Sequence, residues 1–258
     1  MNPVFDKRMF EHVNQTLVKE RGRTSKAVEI LEGVFGFGPA VFAVCIAEKI
    51  LTVLLCLPIP IYSSAVYHLI TSARGLPKYG GMYARALHYR GKLGSMASNV
   101  FIDQGVFFAY PKSVHLAEFS YVDKNVIIMS KSATVGRRVH IAPRVFVSGG
   151  GDFRIEDFAC IATNSNIITS TEVLKDGARC SGPMIPVHQR NVLRSSVVIR
   201  KDAFIGANVT ILPGVEVAEG SVAGAGVTLS KSTEPWGIYV GPRAEKRGSR
   251  DPVKWEDA

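Results

Sequence analysis

The sequence predicts a mainly β chain, a parallel β-solenoid of six-residue repeats, preceded by an α-helical and partly hydrophobic N-terminal region. Three observations predict it. Residues 199–234 read in sixes, with an aliphatic residue or alanine at each first position (Ile199, Ile205, Ile211, Val217, Ala223, then Leu229) and a small or β-branched residue at each fifth (Ala203, Val209, Val215, Ser221, Val227). A period of six fits neither an amphipathic helix nor an isolated strand. It fits a coil of three hexads whose first and fifth side chains face a shared interior when coils stack. The second to fourth positions are rich in Gly, Pro, Asn and Asp, residues that supply corner conformations. Upstream the same phase recurs from Ile102 with steps of seven or eight, through Phe108, Val114, Val122, Ile128, Val135, Ile141, Val147, Ile155, Ile161 and Ile167. The solenoid is therefore expected over residues 100–234.

At 258 residues and 47% hydrophobic composition, the chain has room for one large domain with an appendage. Cys45, Cys56, Cys160 and Cys180 have no metal-ligand or redox spacing, which predicts reduced thiols in a cytosolic setting and no metal. The net charge of +9 is uneven: from Thr71 to Ile102 there are five basic residues and no acidic one. That run suits an anionic membrane surface or a phosphorylated ligand. No nucleic-acid-binding motif accompanies it, so nucleic acid is not an expected partner.

In chain order, residues 1–33 are polar, and the spacing of Phe10, Val13 and Leu17 predicts one amphipathic helix. Residues 34–99 hold a hydrophobic helical region and a basic connector. Within it, residues 41–57 are apolar except for Glu48, Lys49 and Thr52, and Pro58 and Pro60 end the run. The run falls short of the ~20 apolar residues of a spanning helix. Its basic flanks keep both ends on the cytoplasmic side. Two readings stand: an interfacial or re-entrant element at the membrane, or a contact with a partner subunit. After Ile167 the six-residue phase is lost until Ile199, an insert over 168–198, and a long excursion from an economical solenoid is where function is usually placed. Residues 235–258 form a basic tail.

The hexads, together with the segment Pro235-Trp236-Gly237-Ile238-Tyr239-Val240-Gly241-Pro242, resemble the hexapeptide-repeat acyltransferases, in particular bacterial surface-polysaccharide sugar acetyltransferases. The resemblance implies a left-handed parallel β-helix, although parallel crossovers are ordinarily right-handed. It also implies a homotrimer with acetyl-coenzyme A in the crevice between two solenoids. Corner backbone at Ala207 and Ala225 would hold the pantetheine arm, with Ser230 and Lys231 farther along it. Arg243 and Lys246 would meet the nucleotide phosphates, although Glu245 stands where the family pattern has a cation. The family's usual histidine position falls near Ser170, and no histidine is there. His188, in a Pro186-Val-His-Gln-Arg-Asn191 segment like that of polysaccharide-modifying acetyltransferases, is the candidate base, with direct assistance by Glu172, or substrate-assisted or absent catalysis, as the alternatives. Asn164, Ser170 and Glu172 are candidate acceptor-binding groups.

These implications amount to acyl transfer to a hydroxyl or amine of a sugar or glycolipid, by a protein held peripherally or monotopically at the inner face of the membrane. Two other readings remain open: a silent scaffold of the same fold, which the missing histidine favours, and a metal-dependent carbonic anhydrase-like enzyme, for which no three-histidine pattern is found.

Overall fold

A computed structural model describes residues 2–21, 24–59, 65 and 78–241. Six coils stack, each with one short strand on each of three faces, all paired in parallel. The first face runs through Ser95–Met96, Val114–Leu116, Ser132–Val135, Asp152–Ile155, Val197–Ile199 and Glu216–Val217. The second runs through Phe101–Ile102, Tyr121–Val122, His140–Ile141, Cys160–Ile161, Phe204–Ile205 and Val222–Ala223, and Ile238–Tyr239 adds a seventh strand. The third runs through Phe107–Phe108, Ile127–Ile128, Phe146–Ser148, Asn166–Ile168, Thr210–Ile211 and Thr228–Leu229.

The first and fifth positions fill the interior as the repeat requires. Ile161, Ile167, Ile199, Ile205 and Ile211 are fully buried, and so are Val209 and Val217. Each such isoleucine stabilises the coil by about 1.5–3 kcal/mol. One register differs from the sequence reading: Leu116, not Val114, pairs with Val135. The first-face strands of coils two to five carry two inward residues, Val114 and Leu116 in coil two and Val197 and Ile199 in coil five. The longer steps upstream thus lengthen this face.

The fourth position takes positive φ at the corners. Gly105, Asn125, Arg144, Asn164, Asn208 and Gly226 do so between the second and third faces. Glycine and asparagine tolerate this region. Between the first and second faces the same position holds Phe119 (φ 56), Arg138 (φ 54) and Phe158 (φ 61). These bulky corners line the seat of an N-terminal helix, α1 (Lys7–Arg21). Arg8 donates to Glu118 at 2.8 Å, and the His12 ring lies 6.1 Å from that of Phe119.

The N-terminal region holds two helices before the hydrophobic run, not one. The second, α2 (Lys26–Gly36), packs on α1 through Phe35 against Phe10 at 4.9 Å, so the expected boundary at 33/34 falls inside it. The apolar run forms α3 (Gly38–Leu55), and α4 (Lys78–Lys92) lies on coil one. There Arg85 donates to the Ile102 carbonyl at 2.8 Å and the Tyr89 hydroxyl to that of Val106 at 2.7 Å.

Candidate functional site

Two places on the solenoid offer polar groups that the fold itself does not use. The first is the corner between the second and third faces. In each coil the fourth-position amide donates to the third-position carbonyl of the coil before: Asn164 to Pro143, Asn208 to Thr163 and Gly226 to Ala207, at 2.8–3.1 Å. The third-position N–H groups point elsewhere and differ along the stack. In coils one and two a second-position aspartate takes them, Asp103 from Gln104 and Asp123 from Lys124, both at 2.7 Å. Coil three has Pro143 and no donor. In coils four to six the preceding residues are Ala162, Gly206 and Gly224. Among the described residues, the N–H groups of Thr163, Ala207 and Ala225 meet no acceptor.

These three donors form a column on adjacent coils, spaced by about the 4.8 Å of neighbouring strands. Small residues keep it open. At Gly206 a β-carbon would stand 2.7 Å from the Ala223 carbonyl oxygen and 2.8 Å from the Ala225 nitrogen, so only glycine lets coil six close on coil five. Val240, in the segment after the last coil, packs its side chain toward Gly224 and is 77% exposed, leaving an apolar wall beside Ala225. An extended chain bearing amide carbonyls and methylenes fits such a column, since it would satisfy donors that otherwise face water.

The second place is the insert, which leaves the third face after Ile168 and rejoins the first at Val197. Its root is an antiparallel hairpin of Ser170–Glu172 with Val192–Arg194. Buried Thr169 anchors it: its hydroxyl donates to the Ser148 carbonyl at 2.6 Å and accepts the Gly151 N–H at 2.9 Å. A β-carbon at Gly151 would strike the carbonyls of Ser195 and Thr169, which accounts for the glycine run at 149–151. Between hairpin and loop lies a cleft of about 320 Å³ lined by Gly149, Ser170, Ser181, Val187, Arg190 and Arg194 among others. Arg190 donates to the Gly182 carbonyl at 3.2 Å. The lining is cationic, with two guanidinium groups and no carboxylate.

The structure separates the sequence-predicted residues into these two groups. Ala207 and Ala225 stand in the donor column, and Asn164 occupies the positive-φ corner beside Thr163. Ser170 lines the cleft. Glu172 is on its hairpin but accepts from the backbone and hydroxyl of Ser181, which fastens the loop. His188 sits in an exposed 3₁₀ turn, Val187–Gln189, between two cleft residues and outside the lining itself. Ser230 and Lys231 are exposed just beyond the third-face strand of coil six. Arg243 and Lys246 lie outside the described residues.

Three features escaped the sequence reading. Thr163 extends the donor column by one coil, and Arg190 and Arg194 give the cleft its charge. His140 and Asp123 meet at 3.4 Å on the outer side of the second face, with the Tyr121 ring stacked 5.2 Å from that of His140. The His140–Asp123 pair becomes legible only once coil length is known, because Tyr121 and His140 pair across the second face. Among the described residues, no three His, Cys, Asp or Glu side chains converge on a metal position.

No family model matches the chain. It is 30% identical over 137 residues to WbbJ of Escherichia coli, described as an O-acetyl transferase of lipopolysaccharide biosynthesis, covering 52% of this chain and 67% of that one. It is 26% identical over 148 residues to the galactoside O-acetyltransferase of Escherichia coli, covering 57% and 59%. With a macrolide acetyltransferase of Lysinibacillus sphaericus the match covers 41% of the relative, so the chain spans between 41% and 67% of the length of these three curated relatives. Among solved structures it is similar to AntD, an N-acyltransferase of Bacillus cereus in complex with dTDP and 3-hydroxybutyryl-CoA, at 28% identity and a TM-score of 0.55. That likeness covers 62% of this chain and 85% of AntD. A variant of AntD, in complex with dTDP-4-amino-4,6-dideoxyglucose and coenzyme A, gives the same identity and score.

Proposed function

The chain belongs to the hexapeptide-repeat, left-handed β-helix acyltransferases, and from that premise we propose that it transfers an acyl group, in the simplest case acetyl, from acyl-coenzyme A to a sugar. The observation that carries this reading is the column of open N–H donors at Thr163, Ala207 and Ala225, flanked by the apolar wall of Val240. Pantetheine is an extended arm with two amide carbonyls and matches that spacing. Ser230, Lys231, Arg243 and Lys246 are the groups assigned to the rest of the coenzyme.

In this reading the acceptor enters at the insert. A sugar hydroxyl or amine attacks the thioester carbonyl carbon, the new C–O or C–N bond forms, the C–S bond breaks, and the acceptor proton passes to a base. The departing thiolate takes up a proton in turn. The arginine-lined cleft favours a sugar carrying phosphate or another anion, as in a nucleotide-linked or lipid-diphosphate-linked acceptor of surface-polysaccharide synthesis. His188 is the base assigned from the insert. The His140–Asp123 pair is a second candidate, because a carboxylate beside an imidazole can orient the ring as a general base.

The site is complete only between copies, and a homotrimer belongs to the reading. The outer surface of the first face is polar, with Arg200 bridging Glu156 and Glu216. By contrast the second and third faces expose Phe204, Ile238, Phe107 and Met129. Cytoplasmic placement also belongs to it, and the four cysteines remain as thiols.

The test is calorimetric titration with acetyl-coenzyme A, followed by thiol release in the presence of sugar and nucleotide-sugar acceptors, with the mass in solution measured in parallel. Binding with turnover by a trimer supports the reading. Binding without turnover across a broad acceptor panel would favour a silent scaffold, and absence of coenzyme A binding would overturn the proposal.

A further inference from the structure

We propose that α2 and α3 seat the chain on a lipid bilayer, with α3 lying in the plane of the interface instead of crossing it. The helix α3 has 18 residues and a mean hydropathy of 1.9, enough by length and composition to span, and only 11% of it is buried. Its outward side carries Phe42 (69% exposed), Ile46, Ile50 (57%) and Val53, three or four residues apart along one stripe. On α2 and at the junction before α3, Ile30 and Phe37 are exposed as well, at 66% and 61%. A stripe of large apolar side chains exposed along one helix marks a contact surface.

Glu48 decides the orientation. It lies on the opposite side of α3, 3% exposed. Its Oε2 accepts the Val4 backbone N–H at 2.8 Å, its Oε1 accepts the Tyr83 hydroxyl at 2.8 Å, and Arg90 pairs with it at 3.2 Å. Val4 is tied in turn to coil one through the Asn99 N–H at 2.7 Å. The midpoint of α3 is therefore fastened to a charged network on the end of the solenoid. A spanning helix would put that midpoint at the bilayer centre, either stripping Glu48 of its partners or dragging Arg90 and Tyr83 into hydrocarbon. A helix lying flat keeps the network on the aqueous side and buries the stripe among the acyl chains.

Lipid fits this face better than protein does. Protein interfaces carry about one hydrogen bond per 100–200 Å², whereas Glu48, Lys49 and Thr52 are the only charged or hydroxyl side chains from Gly38 to Leu55, and Glu48 is already engaged. Exposed Lys49 can reach sideways to headgroup phosphates. Lys26 at the start of α2 is offset on the same helix by Glu29 and Glu32, so the apolar stripe, not net charge, sets the affinity of the seat. None of this depends on acyl transfer.

The test uses the full chain, with sedimentation on vesicles of phosphatidylcholine, alone or with phosphatidylglycerol. The parent should bind both. The triple variant Phe42→Gln, Ile46→Gln, Ile50→Gln should bind at least about tenfold more weakly while melting at the parent temperature. With lipids brominated at graded depths, Phe42→Trp, Ile46→Trp and Val53→Trp should be quenched alike at shallow depth, each relative to the parent. Strongest quenching of Ile46→Trp near the bilayer centre would mean a spanning helix and overturn the proposal. So would indifference to both vesicle types combined with a smaller assembly for the triple variant, which would make the face a contact between copies. Purely anionic binding that the triple variant retains would overturn it as well.

Discussion

Arg85 and Asp103 form an ion pair at 3.3 Å in which each side chain is 2% exposed, one on α4 and the other at the corner between the second and third faces of coil one. Asp103 also accepts the Gln104 N–H at 2.7 Å and the Tyr121 hydroxyl at 3.2 Å, while Arg85 donates to the Ile102 carbonyl. Removing one partner leaves the other charge buried, so Asp103→Ala should cost about 3–5 kcal/mol. The paired change Arg85→Met with Asp103→Asn keeps an acceptor for Gln104 and removes the stranded cation. It should recover about half of that loss. Denaturant midpoints of the three variants check this, and a paired variant as unstable as Asp103→Ala would show that the charges themselves hold α4.

His88 gives the same end of the molecule a pH dependence. It is 1% exposed, its Nδ1–H donates to the Leu55 carbonyl at 3.3 Å, and its Nε2 has no partner among the described residues. Burial, and then the charge of Lys92, pull its pKa down from 6.5 to about 4. A group depressed in the folded state binds its proton more readily unfolded. The neutral ring therefore contributes its full stability above pH 6.5 and loses it as the pH falls toward 4, by about 3 kcal/mol. His88→Phe should flatten that part of the stability curve, measured as melting temperature against pH. An unchanged slope would assign it to carboxylates such as Asp157, which the Arg137 backbone N–H holds below its ordinary range.

Much of the solenoid was legible because period six leaves one arrangement for Ile199, Ile205 and Ile211. The insert was legible as the place where that period stops. Val114 was taken as the first position in place of Leu116 because the step of eight from Val114 to Val122 has two ways to divide, and only the pairing of Leu116 with Val135 decides between them. The setting of Glu48 was beyond sequence reasoning. A charge inside an apolar run argues against a spanning helix, but its partners Val4, Tyr83 and Arg90 stand 35 to 44 residues away. The donor column was half legible: small residues marked Ala207 and Ala225, while the aspartates that close the same position in coils one and two had to be seen in place.

That contrast yields a test in which one atom group is removed. Proline already stands at the third position of two corners, Pro143 and Pro213, so the fold accepts it there. Ala225→Pro and Ala207→Pro should each delete one donor, leave melting unchanged, and weaken acetyl-coenzyme A about 2- to 12-fold, the worth of one hydrogen bond. Thr163→Pro should weaken it likewise, but it also deletes the hydroxyl's 2.7 Å bond to the Pro143 carbonyl and should therefore lower the melting temperature as well. Titration against the parent measures it, and equal affinity in all three would move the coenzyme off this corner.

The base is the remaining choice. His188 projects from the insert next to Val187 and Arg190, while His140 is held by Asp123 and stacked on Tyr121 without any residue of the insert. If His188 takes the acceptor proton, His188→Gln should lower kcat by about 10²–10⁴-fold and leave coenzyme A affinity intact, and His140→Gln should change kcat little. If the second-face pair takes it, the effects exchange, and Asp123→Asn should lower kcat in the same direction as His140→Gln by disturbing the orientation of the ring. Rates at saturating acceptor, read with single-turnover thiol release, separate the two. Full activity in both glutamine variants would leave neither imidazole as the base and turn attention to Glu172, whose carboxylate would first have to release Ser181.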